Sequence, residues 1–368
     1  MMDELSDSFS ACFNGQKIKY MQYDMSITNA GYLNPNDKVN LFINLESVFK
    51  YLSVIKDVEK KIFNCADFHE IMVSNIINLA AHYRRFFRGN NLDVKIYLYM
   101  TDFNSDIGEF NESEINSDFR SYYLIKYLKN PKYSIMGEKL RDIIIPTCQE
   151  ICQFINGVYV ISTLDIESSV LPLLIANKDP LRKNLLVTSE FIDLQYSYYN
   201  NFMVHYVKRS PGPNGITYLS DLDSYLRTLI KKPSDDYSQE LFAYSNRSFY
   251  ILLLAVTGEV YRSLEGIKGV GNAALLKYIY DALSHNMITP NTESIALISK
   301  IFNDSSMEEV ITNNFQCMDT ESVLLRMNAR QIHTIDTQLV DKFDNNGLLQ
   351  LNSTTFYRHQ LMLEELTI

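Results

Sequence analysis

The chain has 368 residues, of which 46% are hydrophobic and 21% charged, enough apolar material for one large domain or two ordinary ones. With 13 glycines and 9 prolines it is neither linker-rich nor of low complexity. Its formal net charge of −10 excludes a generally basic nucleic-acid coat, so any contact with a phosphate backbone has to come from a local patch.

Five cysteines (Cys12, Cys65, Cys148, Cys152 and Cys317) are an odd number without framework spacing, which predicts free thiols in a reducing compartment. Cys148 and Cys152 stand four residues apart on one face of a predicted helix, a placement that core packing explains better than metal binding. The six histidines are scattered without ligand spacing, and no metal site is expected from them. The opening MMDELSDSFSACFNG is acidic where a secretory leader is basic, and the longest apolar run, residues 249–256, is too short to span a bilayer. The expectation is a soluble protein of the cytoplasm with no membrane partner.

In chain order, residues 1–38 read as an N-terminal extension ending in the turn-rich Asn34-Pro35-Asn36-Asp37. Residues 39–43 predict a buried strand, and Val48, Leu52 and Ile55 recur at helical spacing over 46–58. A second helical stretch covers 71–87, and its end, Tyr83-Arg84-Arg85-Phe86-Phe87-Arg88, is a basic spot. Residues 95–100 predict the second strand, and 103–118 are acidic and polar. The next helix interleaves Arg120, Lys126, Lys129 and Lys132 with Tyr122, Tyr123, Tyr127 and Tyr133. Strands follow at 158–161, 185–188 and 203–207, with helical patterns between most of them. Strands alternating with helices predict an α/β fold with a doubly wound, mainly parallel sheet flanked by helices. The sequence PGPNG at 211–215 marks a turn, and beyond about residue 235 the pattern is mainly helical until the tail, with no internal repeat.

The sharpest local signal is Gly266-Ile267-Lys268-Gly269-Val270-Gly271 ahead of a helical run over 272–280. Tight glycine turns before a helix can turn free backbone N–H groups toward a phosphate. The same glycines serve equally well where a helix–turn–helix corner has to pack closely.

Thr257-Gly258-Glu259, Arg262-Ser263-Leu264 and the glycine hairpin together resemble the helix–three-turn–helix signature of the flap endonuclease and 5′–3′ exonuclease family. Residues 187–195, VTSEFIDLQ, resemble that family's strand-end motif Ser-Asp-x-Asp-x-x-Gln. Residues 165–170, DIESSV, lie where a Glu-Ala-Asp-Asp-Val motif would open a helix, and Phe42-Ile43-Asn44 takes the place of the first strand and its Asp. All four stand in the family's order and together cover about residues 39–285. The resemblance implies a PIN-like core over 39–235 with an arch-like insertion at about 103–140, a helix–hairpin–helix region over 236–285, and a mainly helical C-terminal extension over 286–368. Arg120 and Lys126 fall in the arch, and with Gly266, Lys268, Gly269 and Gly271 they are the DNA-contacting residues that the resemblance implies.

Nucleases of this kind use two divalent ions held by many carboxylates, and hard magnesium demands oxygen ligands. Here the first Asp is Asn44, the paired Asp are Ser168 and Ser169, and Arg262 stands where a further Asp is expected. Asp102, Glu167, Glu190 and Glu259 remain as residual carboxylates, and Asp193 is displaced by one position, which on a strand would turn it to the other face. Arg262 is expected to pair with Glu259 or Glu190. The resemblance with these departures implies a pseudo-enzyme with no catalytic residue, no metal and no cofactor, in which Mg2+ enters only if the chain is an active 5′ nuclease after all. The expected role is a structural or scaffolding component of a larger assembly, whose partners are other protein subunits and, through the hairpin, DNA. A phage-encoded chain found in the host cytoplasm and the virion fits that expectation. The alternatives are an accessory factor that binds branched or ended DNA without cutting it, and an active metal-dependent flap endonuclease.

Overall fold

The structure, a computed structural model, describes residues 12–13, 16–17, 33–34, 36–45, 80, 83–84, 87, 92–102, 149, 157–164, 168–188, 190–206, 247–259, parts of 264–281, and 305–339. Five strands form one parallel sheet: β1 (Lys38–Asn44), β2 (Asp93–Asp102), β3 (Val158–Leu164), β4 (Lys183–Thr188) and β5 (Phe202–Tyr206). Their order is β3-β2-β1-β4-β5, so the chain works outward from β1 in one direction and then returns to continue on its other side. That reversal makes β1 and β4 a topological switch point, where open α/β sheets place their sites at the carboxyl ends of the strands. All five strands lie where the apolar runs predict them. Two two-residue antiparallel pairs, Cys12–Phe13 with Gln16–Lys17 and Gly258–Glu259 with Leu264–Glu265, stand apart from this sheet.

Residues of both parities along the strands are buried, which is why the runs read as almost continuously apolar. The register sets Phe42 beside Tyr97 and Tyr97 beside Tyr159. Their rings stack across β1, β2 and β3 with centroids 5.1 Å apart at each step. Such pairs each contribute about 0.5–1.5 kcal/mol beyond burial. At the amino ends of the strands the buried Arg182 guanidinium donates to Val39 O at 3.1 Å, Asp93 O at 3.0 Å and Asp93 Oδ2 at 3.1 Å, fastening β1, β2 and β4 together. Asn40 and Asn184 add a buried side-chain hydrogen bond of 3.0 Å between β1 and β4.

The turn before β1 closes through the Asp37 N–H on Asn34 O, with Asn36 at φ 70°, a conformation that asparagine tolerates. Burial pushes the Asp37 carboxyl up, but the Lys183 ammonium 2.7 Å away and the Asn34 N–H outweigh it and hold the pKa below its ordinary value. A depressed carboxyl pKa adds stability above the unfolded-state value and loses it as pH falls through the folded one. Asp37→Asn is therefore expected to flatten the stability profile below about pH 4, as read by urea unfolding across pH, and to leave its slope above pH 6 unchanged.

Helix α1 (Leu171–Lys178) follows a buried 3₁₀ turn, Ser168–Val170. Its amino end has no side-chain cap of its own. The Tyr196 hydroxyl takes that part, accepting from the Leu173 N–H at 3.3 Å and donating to Ser169 O at 2.5 Å. Burial first, and then the Asp193 charge, push the Tyr196 phenol well above its ordinary pKa and keep it a donor. The apolar run at 249–256 lies in α2 (Arg247–Thr257), where every one of its residues is buried, a core helix rather than a membrane segment. No helix among the described residues is long and apolar enough to cross a membrane.

Three further helices, α3 (Ser305–Met318), α4 (Thr320–Leu325) and α5 (Ala329–Gln338), share one hydrophobic cluster with the sheet, α1 and α2. Asn314 reaches from α3 to Ala255 O at 2.9 Å, and Asn328 and Gln331 form a reciprocal capping box that starts α5. Helix α5 is amphipathic, with Ile335 fully buried on its inward side. At its end the Gln338 amide accepts from the Ser162 N–H at 2.8 Å and donates to Ser162 O at 2.9 Å, occupying the edge of β3 as a neighbouring strand would. The predicted helix at 148–152 and the turn at 211–215 lie outside the described residues, apart from a helical position at 149. Cys317 is buried.

Candidate functional site

The switch point gathers polar residues that apolar periodicity does not explain. Asn44 ends β1, Thr188 ends β4, and the chain then turns through Glu190 into a 3₁₀ turn, Ile192–Tyr198. Asp193 is fully buried on the first turn of that segment. Its Oδ2 accepts from Thr188 Oγ1 at 2.6 Å and from Asn44 Nδ2 at 3.2 Å. Thr188 Oγ1 in turn accepts from the Glu190 N–H at 3.0 Å, and Glu190 itself is buried.

This corrects the expectation that Asp193 faces away. The period-2 argument holds within a strand, and the strand ends at Thr188. In the 3₁₀ turn each residue advances the side chain by about a third of a revolution, which returns Asp193 toward the end of β1. Two residues later, the buried Gln195 donates to Ile192 O at 2.8 Å and Met318 O at 2.9 Å. It accepts from Thr320 N at 3.1 Å and Thr320 Oγ1 at 2.8 Å. The turn that carries Asp193 is therefore tied to the α3–α4 corner. Arg247 closes the same corner with ion pairs to Asp319 and Glu321, and its guanidinium lies over the Tyr199 ring at 5.4 Å. Nothing in the apolar pattern signals Gln195 or Thr320 as partners, because they lie 125 residues apart.

The other sequence-derived site residues divide clearly. Asp102 is the last residue of β2, paired in register with Leu164 of β3, so its backbone is at the same carboxyl edge of the sheet. Glu259 pairs with Leu264 in the short hairpin. The side chains of Asp102 and Glu259 lie outside the described residues, as do Glu167, Arg262 with its expected ion pair, Gly269, Gly271, Arg120 and Lys126. Ser168 and Ser169 are both buried in the turn ahead of α1.

In the glycine hairpin, the Ile267 N–H bonds Val256 O at 2.8 Å and the Val270 N–H bonds Ile267 O at 3.0 Å. Those two amides serve the fold and are not offered to a phosphate. The expectation of no strand beyond about 235 also yields to the Gly258–Glu259 and Leu264–Glu265 pairing, a local ribbon that turn closure creates without an apolar run. Lys268 at the hairpin is exposed.

Magnesium asks for near-octahedral oxygen ligands, and a two-ion centre needs several carboxylates in reach of both ions. Among the described residues, no three His, Cys, Asp or Glu side chains come together as a metal-holding group. Both contacts on Asp193 Oδ2 are hydrogen-bond donors, which take up lone pairs of that oxygen. The described groups at this point are one amide, one hydroxyl and the carboxylates of Glu190 and Asp193.

No family model matches the chain, and no curated protein matches it. Among solved structures it is similar to a Lys-to-Ala mutant of the bacteriophage T5 5′-exonuclease, at 12% identity and TM-score 0.42 over 89% of this chain and 99% of that one. It is also similar to a bacteriophage T5 flap endonuclease described as a pseudo-enzyme–product complex with DNA and metal ions, at 12% identity and TM-score 0.45 over the same shares of the two chains. A T5 5′-exonuclease with bound zinc matches at 10% identity and TM-score 0.44, again over 89% and 99%. These are likenesses of chain path, and the reading of the site rests on this chain's own residues.

Proposed function

We propose that the chain is a catalytically inactive 5′-nuclease-like protein that serves as a structural or scaffolding subunit of a larger, phage-type assembly. The observation that carries this reading is the Asp193 carboxylate held by the Asn44 amide and the Thr188 hydroxyl at the switch point. Neutral donors on that oxygen stabilise the carboxylate where a cleavage centre would direct its carboxylates at metal ions. The net charge of −10 favours protein partners over a long DNA footprint. On this reading the protein is found in the host cytoplasm and in the virion, it carries no cofactor, and Asp102, Glu167, Glu190 and Glu259 are remnants rather than catalysts.

A second reading, an accessory factor that grips branched or ended DNA without cutting it, draws on one observation: the exposed Lys268 on the hairpin. One set of measurements separates the readings. Incubated with flap and nicked duplexes in Mg2+ or Mn2+, the chain is expected to release no product above background, and cleavage abolished by Glu190→Gln would restore the active-nuclease alternative. Forked-DNA affinity that falls steeply with salt and weakens in Lys268→Glu would favour the accessory factor, since each lost phosphate contact lowers the salt slope by about 0.9. Silence in both assays, with the chain isolated in an ordered multimer, is the outcome the scaffold reading expects.

A further inference from the structure

The two donors at Asp193 Oδ2 have a definite polarity. Thr188 Oγ1 accepts from the Glu190 N–H and has a single hydrogen, which it directs to Asp193 Oδ2 at 2.6 Å. Asn44 Nδ2 brings a second hydrogen to the same oxygen at 3.2 Å. A carboxylate oxygen has two in-plane lone pairs, and these two donors match them at Oδ2, one of the two oxygens of the group. Burying a carboxylate is costly unless something compensates its charge, and the common solutions are an ion pair, a metal ion or a set of directed donors. Here the donors come from the ends of two neighbouring strands and are aimed at a turn that follows the second strand.

We infer that the Asn44 carboxamide stands in for a cation at Asp193 Oδ2: it closes a latch joining β1, β4 and the Ile192–Tyr198 turn, so that this oxygen is held by directed donors where a divalent ion would otherwise sit. This rests on the proposed loss of cleavage but concerns what holds the centre together, and the two can fail separately. The chemistry turns on one atom pair. An aspartate at position 44 would set a second carboxylate against Asp193 at hydrogen-bond distance, and two such groups cannot both ionise unless a proton or a cation enters between them.

The test is thermal unfolding of the full chain and its variants in EDTA and in millimolar Mn2+. The unaltered chain is expected to melt at the same temperature in both, within about a degree. Asn44→Asp is expected to melt lower by about 5 °C in EDTA and to recover at least half of that loss in Mn2+. Should it fold only when Mn2+ is present, the inference is equally supported. Asn44→Ala, which removes the donor without adding a charge, is expected to lose stability that Mn2+ does not restore. The inference is overturned if Mn2+ raises the melting temperature of the unaltered chain saturably and Asp193→Asn abolishes the rise, or if Asn44→Asp is as stable in EDTA as the unaltered chain, or does not respond to Mn2+. An ion-binding chain that cuts nothing would sink the latch and leave the proposed function standing. A chain that cuts, yet shows the expected pattern of melting temperatures, would do the reverse.

Discussion

Gln195→Leu is expected to destabilise the fold by about 3–5 kcal/mol, one of the two largest single-residue effects in the molecule. Leucine matches the volume roughly but strands two carbonyls, of Ile192 and Met318, together with the N–H and the hydroxyl of Thr320. Each buried polar group left without its partner costs about 1–3 kcal/mol, partly recovered where another partner is in reach. Gln195→Glu keeps an acceptor for Thr320 but loses both donors and buries a charge, so it is expected to fare no better. Urea unfolding followed by far-ultraviolet dichroism reads the loss directly. A cost below 1 kcal/mol would mean that the α3–α4 corner does not depend on this amide. Asp193 is two residues earlier on the same turn, so the substitution should also loosen the Asn44–Asp193–Thr188 contacts. The C-terminal helices thereby belong to the mechanics of the site, although they are the part of the chain least like the nuclease signature.

The second large effect belongs to Gly266→Ala. A methyl group at this position would meet Thr257 O at 2.2 Å, the Thr257 carbonyl carbon at 2.3 Å and Gly258 N at 2.7 Å, all backbone atoms. Backbone cannot swing aside as a side chain can, so the hairpin has to separate from the end of α2, with loss of the Ile267 N–H bond to Val256 O. A cost of at least about 3 kcal/mol is expected, at the high end for overpacking because the collision is with main chain. The measurement also bears on why the glycine is there. If Gly266→Ala unfolds the hairpin in the absence of DNA, close packing requires the glycine whatever the hairpin binds. An alanine variant of unchanged stability that loses only DNA binding would return the position to phosphate contact. Gly258 completes the picture at φ +72°, a left-handed conformation with which the chain leaves α2.

The order of elements was legible because strand and helix periodicities depend on local sequence alone. The runs at 39–43, 95–100, 158–161, 185–188 and 203–207 each announce a strand buried on both faces, and each lies in the sheet. The substitution of Asn44 for an expected Asp was legible too, since identity at a position needs no structure. One inference failed. Asp193 was assigned the wrong face because alternation was extended past Thr188, where the strand gives way to a 3₁₀ turn. The glycine hairpin admits both a phosphate contact and close packing, and only the structure shows that Ile267 and Val270 direct their amides to neighbouring carbonyls.

By itself, then, the sequence determined the α/β class, the parallel strands and the presence of Asn44, Ser168 and Ser169 where the resembled pattern has carboxylates, because apolar spacing and side-chain chemistry are properties of the linear chain. Tertiary structure alone decided that Asn44, Thr188 and Asp193 meet, that Gln195 fastens their turn to residues over a hundred positions away, and that Gln338 covers the edge of β3. Hydrogen bonds are short-range and directional, so which groups they join depends on where the folded backbone has brought them, and no periodicity along the chain records that distance.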